Sequence, residues 1–462
     1  MLGAGAAALL VTLAATPVVL GAMRRLAAID DVNERSSHQV PTPRGGGIAV
    51  ALGLFAGVVV LMLASGHGDA PDLLPMTVGV TLFGLIGLAE DIGGDVGGIA
   101  PLRRLALQLL AGLAVSTLLL TSASLDAVSI PPVVVLSAAA LIGPLWVTGF
   151  VNAFNFMDGI NGISAAQAAV AGGALVVVGH LHDAPALAAG GAVLAGAAIG
   201  FAPFNFPRAR IFLGDVGSYT LGASLAVLAL QGVMSGIPAE AVLAPILLYL
   251  ADTGATLVRR VRRGERWYLP HRTHTYQRLT DVGWTHTRVT LTVAGLVAAM
   301  SGLGLLGTRG GTGSRVVADL GLLALATGYL NAPRLIASAS ARIHPGQPAG
   351  TRPASPPGPV AEPDPAAAPP RAAPPLGASP LGASPPGSPP AAIAVINAMA
   401  VGRAPAGDGA GRLVLPRQRQ AGDPGLTTDP PEPARMTQLP DQAGARRYGD
   451  QGDTGDTEIK DA

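Results

Sequence analysis

The sequence predicts an all-α polytopic membrane protein of about eleven transmembrane helices, with the N-terminus outside, the C-terminus cytoplasmic and the active site on the cytoplasmic face. Three observations predict it. Apolar residues make up 49% of the 462 residues and charged ones 13%, where a soluble domain carries about 25% charged residues. Eleven nearly charge-free runs approach the length of about 20 residues that a bilayer requires. Arginine is almost confined to alternate loops, the signature of a cytoplasmic side.

The runs fall at 2–21, 46–65, 74–90, 104–121, 131–150, 162–180, 184–203, 217–234, 238–257, 288–307 and 316–332. No Lys or Arg precedes the first, while Arg24 and Arg25 follow it. A secretory signal has the reverse order, so this run reads as a retained helix with its N-terminus outside. Arg35 and Arg44, Arg103 and Arg104, Arg208 and Arg210, and the series from Arg259 to Arg278 mark successive cytoplasmic loops. The loop after the fifth run has no Arg and takes its side from the alternation. Loops 66–73, 122–130, 181–183 and 235–237 contain no Lys or Arg, whereas 308–315 breaks the pattern with Arg309 and Arg315. Cysteine is absent, which excludes disulfides and thiolate metal sites. Residues 1–340 read as the membrane domain. Residues 341–462 are rich in Pro, Ala, Gly and Ser and read as a disordered cytoplasmic tail, because that composition buries too little surface to offset chain entropy.

Five polar clusters face the cytoplasm in this topology: 35–47, with His38, Arg44 and three glycines; Gly87–Asp91, which ends the third run in Glu90-Asp91; the loop 152–162, with Asn152, Asn155, Asp158 and Asn161; 205–218, with Gly214 and Asp215; and 262–279, with His271, Arg272, His274 and Arg278. Taken singly, most have a bland reading. Glu90-Asp91 suits a solvated helix end, the glycines at 45–47 a packing surface, and the arginines a lipid-headgroup anchor. Amides and a carboxylate crowded at membrane depth are costly, however, and mark a working site. Clustered carboxylates need a cation between them, and Mg²⁺ takes one or two carboxylates plus substrate phosphates. Glycine-flanked backbone amides, Arg and His suit phosphate oxygens. A phosphorylated, Mg²⁺-bound substrate at the membrane surface follows, with Mn²⁺ as a substitute ion.

The order and spacing of these residues resemble the polyprenyl-phosphate N-acetylhexosamine-1-phosphate transferases. The resemblance rests on Asn-x-x-Asn-x-x-Asp-Gly at 152–159, Phe-Leu-Gly-Asp-x-Gly-Ser at 212–218 and His-x-x-Pro-x-Pro-x-Gly-Gly at 38–46, with Asp252-Thr253 and Arg259-Arg260 in the ninth run. It spans about 31–279, with helices to about 332. The sequence departs from the family pattern in three places. Glu90 stands for the first of two aspartates, Asn161 for an aspartate, and His274-Thr-Tyr-Gln-Arg-Leu, preceded by His271-Arg272, for a His-x-His-His loop. The last form looks closer to the branch that starts O-antigen-like surface polysaccharides than to the muramoyl-pentapeptide branch.

The resemblance implies transfer of a sugar 1-phosphate, N-acetylglucosamine 1-phosphate or a related one, from a UDP-N-acetylhexosamine to polyprenyl phosphate. UMP is released and cell-wall or surface-polysaccharide assembly begins. It implies a multi-pass enzyme of the bacterial plasma membrane, a homodimer as an assembly, and no nucleic-acid partner. Catalytic roles would fall to Glu90, Asp91, Asp158, Asp215 and His274, with either Glu90 or Asp91 acting on the lipid phosphate. Substrate binding would fall to His38, Arg44, Asn152, Asn155, Asn161, Gly214, Arg272 and Arg278, and metal binding to Asp91, Asn155 and Asp215. The rivals are an anion transporter, which would place its polar groups at midplane in repeat-related broken helices, and an inactive lipid-binding homologue.

Overall fold

Hydrocarbon offers backbone groups no water, so a chain this apolar pairs its N–H and C=O groups within helices. The computed structural model describes residues 1–26, 28–30, 41–65, 70–122, 132–266 and 271–343. Among them, eleven helices are long and apolar enough to cross a membrane. They are α1 (Leu2–Arg25), α2 (Gly47–Ser65), α3 (Ala70–Gly97), α4 (Pro101–Ser122), α5 (Pro132–Met157), α6 (Ile163–Leu181), α7 (Pro185–Asn205), α8 (Gly214–Met234), α9 (Ala239–Arg262), α11 (His286–Thr308) and α12 (Thr312–Ile343). A short helix, α10 (Thr275–Asp281), lies between α9 and α11. Two residues each of β1 (Ile29–Asp30) and β2 (Thr42–Pro43) pair antiparallel.

Helix α8 is the axis. Its span is 83% buried, against 22% for α1 and α12 at the periphery. Gly217, Ser218, Thr220, Gly222, Ala223, Ser224 and Ala226 keep its surface low, which lets neighbouring backbones approach in the absence of a hydrophobic drive between membrane helices. Helices α3, α5 and α2 pack on it. The Trp146 indole N–H donates to the Ala226 carbonyl, tying α5 to its middle.

Several helices run past the expected ends; among them α3 continues to Gly97, α5 to Met157 and α9 to Arg262. Glu90 and Asp91 therefore sit within a helix rather than at its end, and Asn152 and Asn155 project from the last turns of α5 rather than from a loop. An apolar window stops where hydrocarbon stops, but a helix closes its own hydrogen bonds and continues into the polar zone. Arg315, which broke the loop pattern, has a local partner: its guanidinium donates to Glu240 Oε1 from Nε at 3.0 Å and from Nη2 at 2.6 Å. The pair joins the N-terminal turns of α9 and α12 and cancels the charge there. His38 and the tail 341–462, apart from the end of α12, lie outside the described residues.

Candidate active site at one end of the bundle

The segments that form the site are joined by backbone before any side chain takes part. Residues before α2 run beside those before α8. Phe212 N–H donates to Pro43 C=O at 2.8 Å, and the Gly46 and Gly47 amides donate to Phe212 and Leu213 carbonyls at 2.9 and 2.7 Å. A Cβ on Gly47 would collide with the Gly217 backbone. The glycines at 46–47 thus form a packing surface, with their amides spent on α8's approach. Arg44, beside them, leaves its buried Nε without a hydrogen-bond partner among the described residues. Its charge acts on Glu90, Asp91 and Asp215.

Asp91 reaches from α3 to the start of α8. Its Oδ1 accepts from Asp215 N–H and its Oδ2 from Val216 N–H, each at 3.0 Å. A helix begins with amides that have no partner in its own ladder, and a carboxylate there also meets the positive end of the helix dipole. Gly214, at φ +74°, makes the turn that aims these amides at Asp91. Asp215 is fixed from a third helix. Asn155 Nδ2 on α5 donates to Asp215 Oδ1 at 2.8 Å and to Ser218 Oγ at 2.9 Å. Glu90, one residue before Asp91, keeps Oε1 buried without a hydrogen bond among the described residues. Its nearest cation is Arg104 Nη1 of α4, at 3.7 Å.

The rest of the Asn-rich segment divides. Asn152 Nδ2 donates to Gln108 Oε1 of α4 and to the Thr148 carbonyl, both at 2.8 Å, so its amide nitrogen braces α4 against α5. Asn161 Nδ2 donates to the Pro207 carbonyl at 3.2 Å, and its own carbonyl accepts from Thr290 of α11. Asp158 lies in the turn between α5 and α6. Withdrawal from solvent pushes its carboxyl up to about 7. The Ser164 hydroxyl opposes the shift, and the charges of Asp215 and Asp91 add to it. Its titration thus responds to two carboxylates from other clusters.

The last cluster closes over the same end. The Tyr276 hydroxyl donates to the Phe156 carbonyl at 3.1 Å. The rings of His271 and His274 lie 6.3 and 6.1 Å from that of half-exposed Phe156. Burial, then the charges of His274 and Arg260, lower His271 to about 4, so it is neutral at pH 7. Arg272 pairs within its own segment, with Nη2 3.2 Å from Asp281 Oδ1 and 3.4 Å from Thr280 Oγ1. Arg278 is depressed by burial and by the guanidinium charges of Arg259 and Arg334, a basic grouping that an anion would relieve. Gln277 Oε1 accepts from His274 N–H at 3.2 Å. Asp252, noted in the sequence only as part of a motif, is fully buried and accepts the Thr275 N–H at 2.9 and 3.1 Å.

Of the sequence-predicted residues, Asp91, Asn155, Asp215 and Gly214 meet directly, with Glu90, Arg44 and Asp158 within electrostatic reach. His274 is held beside Phe156, while Arg278 lies among Arg259, Arg263 and Arg334. Gln108 and Asp252 are the additions; each bonds a partner too far along the chain for local spacing to signal it. Among the described residues, no three His, Asp or Glu side chains converge as a metal site by themselves. Mg²⁺ held through substrate phosphates needs only one or two protein carboxylates, and Asp91 and Asp215, with Asn155 bonded to the latter, are a donor set of that kind.

The glycosyl transferase family 4 model matches residues 73–233, which hold Asp91, Asn155, Asp158 and Asp215. The chain is 32% identical over 329 residues to the decaprenyl-phosphate N-acetylglucosaminephosphotransferase of Mycobacterium leprae, covering 64% of this chain and 81% of that protein. It is 27% identical over 295 residues to a probable undecaprenyl-phosphate N-acetylglucosaminyl 1-phosphate transferase of Bacillus subtilis, covering 62% and 78%. A phospho-N-acetylmuramoyl-pentapeptide-transferase of Desulforudis audaxviator is 31% identical over 346 residues, covering 67% and 98%.

Proposed function

The chain belongs to glycosyl transferase family 4, and from that premise we propose that it transfers N-acetylglucosamine 1-phosphate, or a closely related sugar 1-phosphate, from a UDP-sugar to polyprenyl phosphate. The observation that carries this reading is the three-helix junction in which Asp91 accepts the Asp215 and Val216 amides while Asn155 holds the Asp215 carboxylate. It gathers acidic groups at one end of the bundle, where a soluble nucleotide-sugar and a lipid phosphate can meet. A transporter would place such groups at midplane.

A phosphate oxygen of the lipid attacks the phosphorus that carries the sugar. A new P–O bond forms, the bridging P–O bond breaks, and UMP leaves with its electron pair. Such transfer is mostly positioning and electrostatics. Asp215 and Asp91, with Asn155 through its oxygen, would hold Mg²⁺, which when bound neutralises charge on the diphosphate. Asn155 keeps Asp215 in one orientation. Glu90, its Oε1 free of hydrogen bonds among the described residues, orients or deprotonates the attacking phosphate, or Asp91 does. Asn152, Asp158 and Asn161 hold the nucleotide-sugar, while Arg44, Arg278 and His274 face phosphate oxygens or the sugar. This end lies toward the cytoplasm of a bacterial plasma membrane. The muramoyl-pentapeptide reading is second, favoured by the long match to that relative.

Purified protein with Mg²⁺, a polyprenyl phosphate and a panel of UDP-sugars tests the reading. UMP release with UDP-N-acetylglucosamine or a related UDP-N-acetylhexosamine is the expected result. No turnover with any of the panel, in protein that binds lipid, would leave the inactive homologue standing.

A further inference from the structure

Helices α9, α10 and α12 meet at one buried carboxylate. Asp252, midway along α9 and 0% exposed, lies inside the bundle. Both oxygens accept the Thr275 amide, at 2.9 and 3.1 Å. Oδ2 accepts the Tyr329 hydroxyl of α12 at 2.8 Å. Oδ1 accepts the Thr256 hydroxyl at 3.3 Å and stands 3.6 Å from His274 Nδ1. A buried charge is kept only where such partners gather, and removing one of them leaves the others unsatisfied. The Thr275 amide belongs to the first turn of α10, just after His274. Arg259 of α9 also donates to the Thr273 carbonyl at 3.3 Å, so the chain entering α10 is tied to α9 at two points.

The same turn is pinned on its far side by the Tyr276 hydroxyl on the Phe156 carbonyl. Between these two anchors sits the His274 ring, 4.9 Å from that of His271 and 6.1 Å from that of Phe156. We infer that Asp252 is a positioning residue that sets the height and orientation of the His274 turn over the substrate end, and that Tyr329 makes the last helix part of this device. The inference rests on the transfer reading given above. Asp252 touches neither substrate; it acts through Thr275 and His274. The path runs from Tyr329 to Asp252 and on to the Thr275 amide, which adjoins His274 in the chain.

The test uses full-length protein in lipid nanodiscs, with Asp252→Asn and the milder Tyr329→Phe. Asn keeps the shape and one acceptor but sets an NH₂ against the Thr275 N–H or the Tyr329 hydroxyl. Hydrogen exchange of peptides covering 271–279 is the first readout. It should rise at least tenfold in Asp252→Asn and about threefold in Tyr329→Phe, with α7 and α8 peptides unchanged. Turnover is the second. kcat should fall in the same order, with KM for polyprenyl phosphate kept within about twofold. Adding His274→Ala to Asp252→Asn should cost no more than His274→Ala alone, because both changes disable one turn. A purely structural role would instead loosen α8 and multiply with His274→Ala. Unchanged exchange at 271–279 in Asp252→Asn overturns the inference, as does raised exchange with unaltered turnover. Should Asp252→Asn fail to fold, Tyr329→Phe carries the same two readouts alone. If wild-type protein turns over no UDP-sugar, the transfer reading fails, while the exchange data still decide whether Asp252 holds the turn.

Discussion

Replacing Asp91 by Asn tests whether the start of α8 depends on a carboxylate from α3. In the wild-type chain each Asp91 oxygen accepts one backbone N–H, from Asp215 and from Val216, at 3.0 Å. Asn retains one acceptor and turns the other oxygen into a donor. One charge-assisted hydrogen bond is lost, worth about 1.5–3 kcal/mol, and a half-buried N–H is left unpaired at about 1–3 kcal/mol. Loss of the charge at the helix end adds roughly 0.3–1 kcal/mol. The sum, discounted for rotation of the amide and for water reaching the gap, is about 3–5 kcal/mol of local stability, or roughly a hundredfold to a few thousandfold in opening of this turn. The assay is hydrogen exchange of peptides covering 211–218 in lipid nanodiscs, beside UMP release. Exchange should rise by about that factor and turnover should fall at least a hundredfold, since Asp215 is carried on the same turn. Wild-type exchange across 211–218 in a folded Asp91→Asn protein would refute the reasoning, whatever happened to activity.

Three further expectations follow from the geometry. Gly159→Ala should raise KM for the UDP-sugar at least tenfold, because its Cβ would collide with the Tyr276 hydroxyl and break the bond to Phe156; adding Tyr276→Phe should restore part of the loss, and a full multiplication of defects would count against the clash. Asp158 has its folded pKa raised from 3.8 to about 7, so the unfolded chain ionises first and stability falls as pH rises from about 4 to about 7; Asp158→Asn should flatten thermal stability across that window, and an unchanged slope would show that the carboxyl is not held neutral. For orientation, single cysteines at exposed Ser235 and Arg263 of this cysteine-free chain should react with an impermeant reagent from outside and from inside respectively, and labelling of position 263 in intact cells would invert the topology.

Hydropathy and arginine placement were enough to count the spans, because a bilayer constrains each crossing segment on its own: about 20 apolar residues, whatever packs beside them. The candidate site stood out in the sequence for a related reason. Polar groups are so disfavoured at membrane depth that Asn155, Asp158 and Asp215 stand out without any knowledge of their partners. Those residues could not disclose what they touch. Asp91 bonds amides 124 and 125 positions away, Asn155 a carboxylate 60 away and Asp252 a hydroxyl 77 away. No local periodicity encodes such separations. Helix ends were hidden too, since α3, α5 and α9 run on past the apolar windows into the polar zone. Composition determined that the chain crosses a membrane and which polar segments stand out as a candidate site. Only the packing of α8 among α2, α3 and α5 decided that Asp91 accepts the first amides of α8 while Glu90 beside it keeps an oxygen without a hydrogen bond among the described residues, because hydrogen bonds are short and directional and exist only once distant segments have been brought within about 3 Å.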